Sequence, residues 1–178
     1  GLSVYPLNRE NLRVFFHIVG DGEELPKLKQ MTTELKLTES VIFHGPLYGS
    51  ELDDLLKLCD VAVGTLGLHR ESLYRAATLK NREYCARGIP FIFSHIDEDF
   101  DDFKYALKVP PDDSPVDISR IINWYKNIKL MDPKYQDTMR KYALEKLTWT
   151  AKFEPVVKKI KELVDVNGHN EKLRISRY

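Results

Sequence analysis

The stretch Thr78-Leu-Lys-Asn-Arg-Glu-Tyr-Cys-Ala-Arg-Gly88-Ile-Pro-Phe-Ile-Phe93 carries two kinds of patterning back to back. Residues 79–87 contain no proline or glycine and stop at Gly88, a residue suited to the left-handed turn that closes helices. Ile89–Phe93 is a short apolar run rich in β-branched and aromatic residues, which reads as a buried strand. A helix that feeds directly into a buried strand is how a βαβ unit is written in sequence.

The same alternation extends in both directions. Upstream, Leu12–Gly20, Ser40–Gly45 and Val61–Thr65 read as strands. The intervening segments carry apolar residues at helical spacing: Leu25, Leu28, Met31, Leu35 and Leu37 in one, and Ser50–Cys59, with Ser50 at its start, in the other. Downstream, Ala106–Val109 is a weaker fifth strand. Beyond Pro110-Pro111 three helices follow, marked by Ile118, Ile121, Ile122 and Tyr125; by Tyr135, Met139, Tyr142 and Leu147; and by Phe153, Val156, Val157, Ile160 and Leu163. The expected fold is α/β, a Rossmann-like parallel sheet with helices on both faces and a helical C-terminal segment. One domain is expected over residues 1–166, with a flexible tail at 167–178.

The 178 residues suit one domain, and 27 basic side chains balance 27 acidic ones. That balance argues against a nucleic-acid partner, which calls for a net basic face. The two cysteines, Cys59 and Cys85, have neither metal-site nor disulfide-framework spacing and read as small buried hydrophobes in a reducing compartment. No apolar run approaches the ~18–20 residues that span a bilayer, and a cytoplasmic location is expected.

Open parallel sheets bind ligands beyond the carboxyl ends of their strands. This directs attention to the loops Gly20–Gly22, Gly45–Gly49, Leu66–Ala77 and Ser94–Phe103. Around the helix at 79–87, the N-terminal amides and their partial positive charge form a ready phosphate site. Lys80 adds a cation there, and Glu83, three residues later on the same face, can accept two hydrogen bonds from a ribose diol. Taken alone, such a Lys–Glu pair is an ordinary surface feature.

The surrounding pattern is more specific. Thr78-Leu-Lys-x-x-Glu-Tyr-x-Ala-x-Gly-x-Pro90 resembles the Pro-Leu-Lys-x-x-Glu-Tyr-x-Ala-x-Gly-x-Pro signature of retaining GT-B glycosyltransferases of the glycosyltransferase 4 type. Ile18–Glu23, Val41–Gly45 and Cys59–Val63 precede it in the order that family shows. The resemblance covers about residues 12–165. It implies that Glu83 binds the nucleotide ribose, that the backbone N–H groups of Thr78 and Leu79 hold the diphosphate, and that Pro46, Leu47 and Tyr48 line the base. Tyr48 is equally readable as a partly buried turn residue.

Three departures from the family pattern stand out. Arg75 occupies the position of the family's first conserved Glu, with Glu71 the nearby substitute, and Thr78 replaces the usual Pro. The chain also matches the family only from its second strand. The leading strand–helix unit, with its diphosphate-neutralising Arg and Lys, and the acceptor-binding N-terminal domain are expected to be missing.

Among the other residues, His69 and Arg70 are ligand candidates in the loop after the third strand. His17 and His44 read as satisfied neighbours of the core. Gly20-Asp-Gly22 lacks the full dinucleotide fingerprint. Asp97–Asp102 reads as a solvated helix start, so no metal is expected, and Lys158–Lys161 as the wet face of its helix. Trp149 is expected to be largely buried, because in the resembling family a Trp near this point opens a terminal helix that crosses toward the N-terminal domain.

The function these readings imply is the donor-binding part of a glycosyltransferase. It would move a sugar, with retention, from a nucleoside-diphosphate sugar to a saccharide or lipid-linked acceptor in surface-polysaccharide assembly. No cofactor beyond the donor is expected, and peripheral membrane association of the full-length enzyme is compatible with such an acceptor. A GT-B-type nucleotide-sugar epimerase and a non-catalytic α/β nucleotide-binding or interaction module remain the alternatives.

Overall fold

The computed structural model describes residues 12–175, with side chains as far as Val164. The element order is β1 (Phe16–Val19), α1 (Leu25–Glu34), β2 (Val41–Gly45), α2 (Gly49–Leu58), β3 (Ala62–Val63), α3 (Leu79–Arg87), β4 (Phe91–Phe93), β5 (Ala106–Lys108), α4 (Ile118–Met131), α5 (Tyr135–Tyr142) and α6 (Trp149–Ile175). A 3-10 turn at Leu68–Glu71 and a π-helical turn at Ala143–Leu147 complete it. Among the described residues all strand pairing is parallel, as the alternation predicts, and it forms two sheets, β1-β2 and β3-β4-β5. The chain divides correspondingly into two compact units.

The first unit comprises the described residues up to Val61 together with Asp112–Asn127. β1 starts later than the run from Leu12 suggests, and its partner β2 begins at Val41, opposite Phe16. Among the described residues of this unit only Thr32 and Val41 are fully buried. Thr32 gives its hydroxyl to the Leu28 carbonyl one turn back, which removes the cost of burying it. His17 and His44 do not enter a core. They stack at 5.1 Å with a 2.8 Å hydrogen bond between His17 Nδ1 and His44 Nε2, on the partly open face of the β1-β2 pair.

The second unit, Ala62–Pro111 and the residues from Ile128 onward, holds most of the buried apolar surface. Phe91 and Phe93 of β4 are inaccessible, as are Phe100, Cys85 and Met139. Phe91 meets Phe100 edge to face at 5.1 Å, the arrangement aromatic quadrupoles favour. Each such ring contributes about 1.5–3 kcal/mol by leaving water.

α3 packs on α5 and β4, and its end is built as the sequence predicts. Gly88 takes φ 76°, its N–H reaches the Cys85 carbonyl (3.0 Å) and the Ile89 N–H reaches that of Tyr84 (2.9 Å). This is the Schellman arrangement, and it turns the chain directly into β4.

α6 starts where Thr148 leaves helical geometry and accepts the Ala151 N–H on its hydroxyl (3.3 Å). The helix overturns one expectation. Trp149 is 76% exposed, and Phe153, Val156, Val157, Ile160 and Leu163 lie on the surface with it. The apolar spacing correctly marks a helix, but no described element covers the stripe. Of the tail expected at 167–178, residues up to Ile175 continue this helix and the remainder lies outside the described residues.

Candidate functional site

Among the described residues, no side chain of the N-cap residue caps the first turn of α3. Thr78 stands at the N-cap with extended backbone (φ −79°, ψ 138°) and makes no side-chain cap. Its hydroxyl is buried without a hydrogen-bond partner among the described residues. The first amides of the helix, which have no carbonyl one turn earlier, are therefore not satisfied by a cap side chain. Leu79 is 79% exposed, and Lys80 and Glu83 are exposed on the same helix. An amide terminus, a cation and a carboxylate thus follow one another within about one turn.

The long loop before this helix is tied down. Ala76 N–H bonds the Ile96 carbonyl (3.0 Å), and Ile96 N–H bonds that of Tyr74 (2.8 Å). Ser94 Oγ donates to the Leu66 carbonyl (3.0 Å). The segments following β3 and β4 thereby brace each other at the carboxyl ends of parallel strands, where such sheets place ligands.

Beneath the helix start lies a buried polar cluster. The Arg82 guanidinium grips Asp97 with two hydrogen bonds, Nη1 to Oδ2 (2.9 Å) and Nη2 to Oδ1 (3.0 Å), and also pairs with Asp99. Nη1 additionally donates to the Thr78 carbonyl (3.0 Å). Asn81, fully buried, donates through Nδ2 to Asp97 (3.2 Å) and faces His95 Nε2 (3.5 Å). His95 Nδ1 lies 3.3 Å from the Thr65 carbonyl, so the tautomer carrying its proton on Nδ1 satisfies both ends of the ring. The Asn81 oxygen has no hydrogen-bond partner among the described residues and fits against Gly64, where a Cβ would lie 2.6 Å from it. Gly64 is therefore required by close approach.

This cluster corrects the reading of Asp97–Asp102 as a solvated helix start. Asp97 is buried, and Phe100 between the acids is inaccessible. Asn81 and Arg82 were also missed. The available signal was the i, i+4 relation of Asn81 to Cys85, which places a polar side chain on the buried stripe of α3, where it needs partners.

The remaining expected site residues fall as follows. His69, Arg70 and Glu71 form the 3-10 turn after β3, with His69 Nδ1 3.1 Å from the Leu66 carbonyl. Arg75 pairs with Glu98 and bridges Ile96 in the braced loop. Leu47 and Tyr48 belong to the other compact unit, where Tyr48 is the 77% exposed N-cap of α2. Of the two cysteines, Cys85 is inaccessible and Cys59 half-buried. Among the described residues no three His, Cys, Asp or Glu side chains are grouped to hold a metal ion. None of the described helices is long and apolar enough to cross a membrane.

Parallel strands, flanking helices and a helical C-terminal segment are the Rossmann-like pattern. The structure of TarM superposes with a TM-score of 0.59 at 18% identity, over 84% of this chain and 28% of that one. Sucrose-phosphate synthase from Thermosynechococcus elongatus does so at 0.53 and 20% identity, over 86% of this chain and 38% of that one. The chain thus spans well under half the length of either. No curated protein matches it. Residues 3–127 match the model for glycosyl transferases group 1, and the chain belongs to that family.

Proposed function

We propose that this chain is the donor-binding part of a glycosyltransferase that moves a sugar from a nucleoside-diphosphate sugar to a saccharide or lipid-linked acceptor. Membership of the group 1 family supports sugar transfer. The observation that carries the donor assignment is the start of α3, with uncapped amides beside exposed Lys80 and Glu83.

In this reading the Thr78 and Leu79 amides and Lys80 meet the diphosphate, whose negative charge grows as the sugar departs. Donors held in place before the reaction stabilise that charge without reorganising. Glu83 would repel a phosphate but suits a neutral ribose diol. Transfer then depends on stabilising the leaving group, with retention at the sugar carbon, and on an acceptor held by other parts of the full-length enzyme. Assembly of surface polysaccharide is the setting this acceptor class suggests.

The test is ligand-observed NMR with UDP-, GDP- and ADP-sugars on the full-length protein. Saturation transfer to one base and its ribose is the expected result. Absence of transfer to all three would remove the donor assignment.

A further inference from the structure

We propose that Arg82 is a positioning residue for the diphosphate: it fixes the Thr78–Leu79 peptide plane and cancels the acidic charge beside it. The inference rests on the donor-site reading above and assigns a residue that reading does not use.

A peptide unit is planar and trans, so its carbonyl and its N–H point in opposite directions. Arg82 Nη1 holds the Thr78 carbonyl at 3.0 Å. Holding that oxygen therefore aims the Leu79 N–H of the same plane, one of the two amides assigned to the diphosphate. The guanidinium cannot drift, because Asp97 grips it at 2.9 and 3.0 Å, Asp99 binds Nη2, and the Phe100 ring lies 5.4 Å beneath its carbon. Asp97 is itself fixed by the Asn81 amide (3.2 Å). Burial makes the grip firm, with the Arg82 side chain 18% and that of Asp97 1% exposed. A bidentate guanidinium–carboxylate pair sets direction as well as distance, which an ammonium cannot do.

Charge gives the second half of the role. Asp97 and Asp99 lie close to a helix terminus meant to receive an anion, and uncompensated they would repel it. Arg82 pairs with both, and Lys152 reaches Asp99 from α6. Two cations thus neutralise two acids, and the field of the helix terminus remains available to a phosphate. The Asp99 backbone is held as well, by the Tyr142 hydroxyl (2.7 Å).

The experiment compares wild type, Arg82→Lys and the double variant Arg82→Met/Asp97→Asn in the full-length protein. UDP, GDP and ADP are titrated by calorimetry, and uridine, guanosine and adenosine by saturation-transfer NMR, with thermal melts to confirm folding. Arg82→Lys keeps the charge and loses the fork. The double variant leaves no unpaired buried acid at Asp97, so it remains foldable if the single variant does not. Both are expected to lose affinity for the preferred diphosphate at least tenfold while the nucleoside changes less than twofold. A folded variant of either kind that keeps the wild-type ratio of diphosphate to nucleoside affinity overturns the proposal. So does an equal loss of both ligands, the mark of a merely structural role. If wild type binds a diphosphate and Glu83→Gln weakens it while the Arg82 variants do not, only this proposal fails. Wild type that binds none of the three diphosphates removes the donor-site reading, and this role with it.

Discussion

Arg87 reaches back one turn along α3 and holds a single carboxylate oxygen of Glu83, with Nε at 3.1 Å and Nη2 at 3.0 Å. The pair is of the i, i+4 kind and half exposed, so it contributes only about 0.3–0.5 kcal/mol to the fold. Its more useful effect is on direction, because Arg87 occupies Oε1 and restrains the carboxylate.

Glu83→Gln removes the ionised acceptor for a ribose diol, and a hydrogen bond to a charged group contributes about 1.5–3 kcal/mol. Affinity for the nucleoside and its diphosphate should fall together by roughly tenfold or more, with little change in melting temperature. Lys80→Met should weaken the diphosphate selectively, since its partner is a charge. Calorimetry with both ligands separates the two, and an unchanged diphosphate affinity in Glu83→Gln would remove the ribose assignment.

Gly88→Ala should destabilise the second unit. The backbone there is left-handed, and an added Cβ would lie 2.8 Å from the Gln136 carbonyl oxygen and 3.0 Å from its Cα. Strain of about 1–2 kcal/mol adds to the cost of separating α3 from α5, about 1–3 kcal/mol. The control is Gly22→Ala, where nothing lies within 4 Å of the new atom. Urea midpoints that shift equally in the two variants would count against this account of the α3 terminus.

Cys85 should be inert to thiol reagents in the folded protein. Burial pushes its thiol from 9.0 up to about 12, so little thiolate exists near neutral pH. The linkage has a definite sign. The folded pKa is raised, so the contribution is intact below 9.0 and is lost as pH rises from there toward about 12, where only the unfolded chain ionises freely. Denaturant melts between pH 8 and 11 should show wild type losing more stability than Cys85→Ala. Parallel pH curves would refute this.

Asp132 predicts a complementary loss in acid. The Tyr105 hydroxyl, then Thr138, the Lys134 N–H and the Lys104 charge hold its carboxyl below the ordinary 3.8. A depressed carboxylate stabilises above its unfolded pKa, and that stability disappears as pH falls through the folded value. The stability difference between wild type and Asp132→Asn should therefore shrink below pH 3.8. A difference independent of pH between 5 and about 2 would contradict it.

Short-range features were legible in the sequence because their causes are local. Helical spacing, the glycine stop at Gly88 and the apolar run into Phe93 depend on residues a few positions apart, and α3 and β4 form where those signals place them. Lys80 and Glu83 were legible for the same reason: three residues apart on a helix, they must share a face. What the sequence left open depends on residues brought together from far along the chain. Arg82 and Asp97 are 15 positions apart and Lys152 and Asp99 are 53, and no local period links them. Asp97 reads as a wet acid among acids, yet the path of the chain after β4 buries it against Arg82. Trp149 shows the opposite limit. Its spacing with Phe153 specifies an amphipathic helix, but whether an apolar stripe is covered depends on what packs against it, and the tertiary structure leaves this one open to solvent.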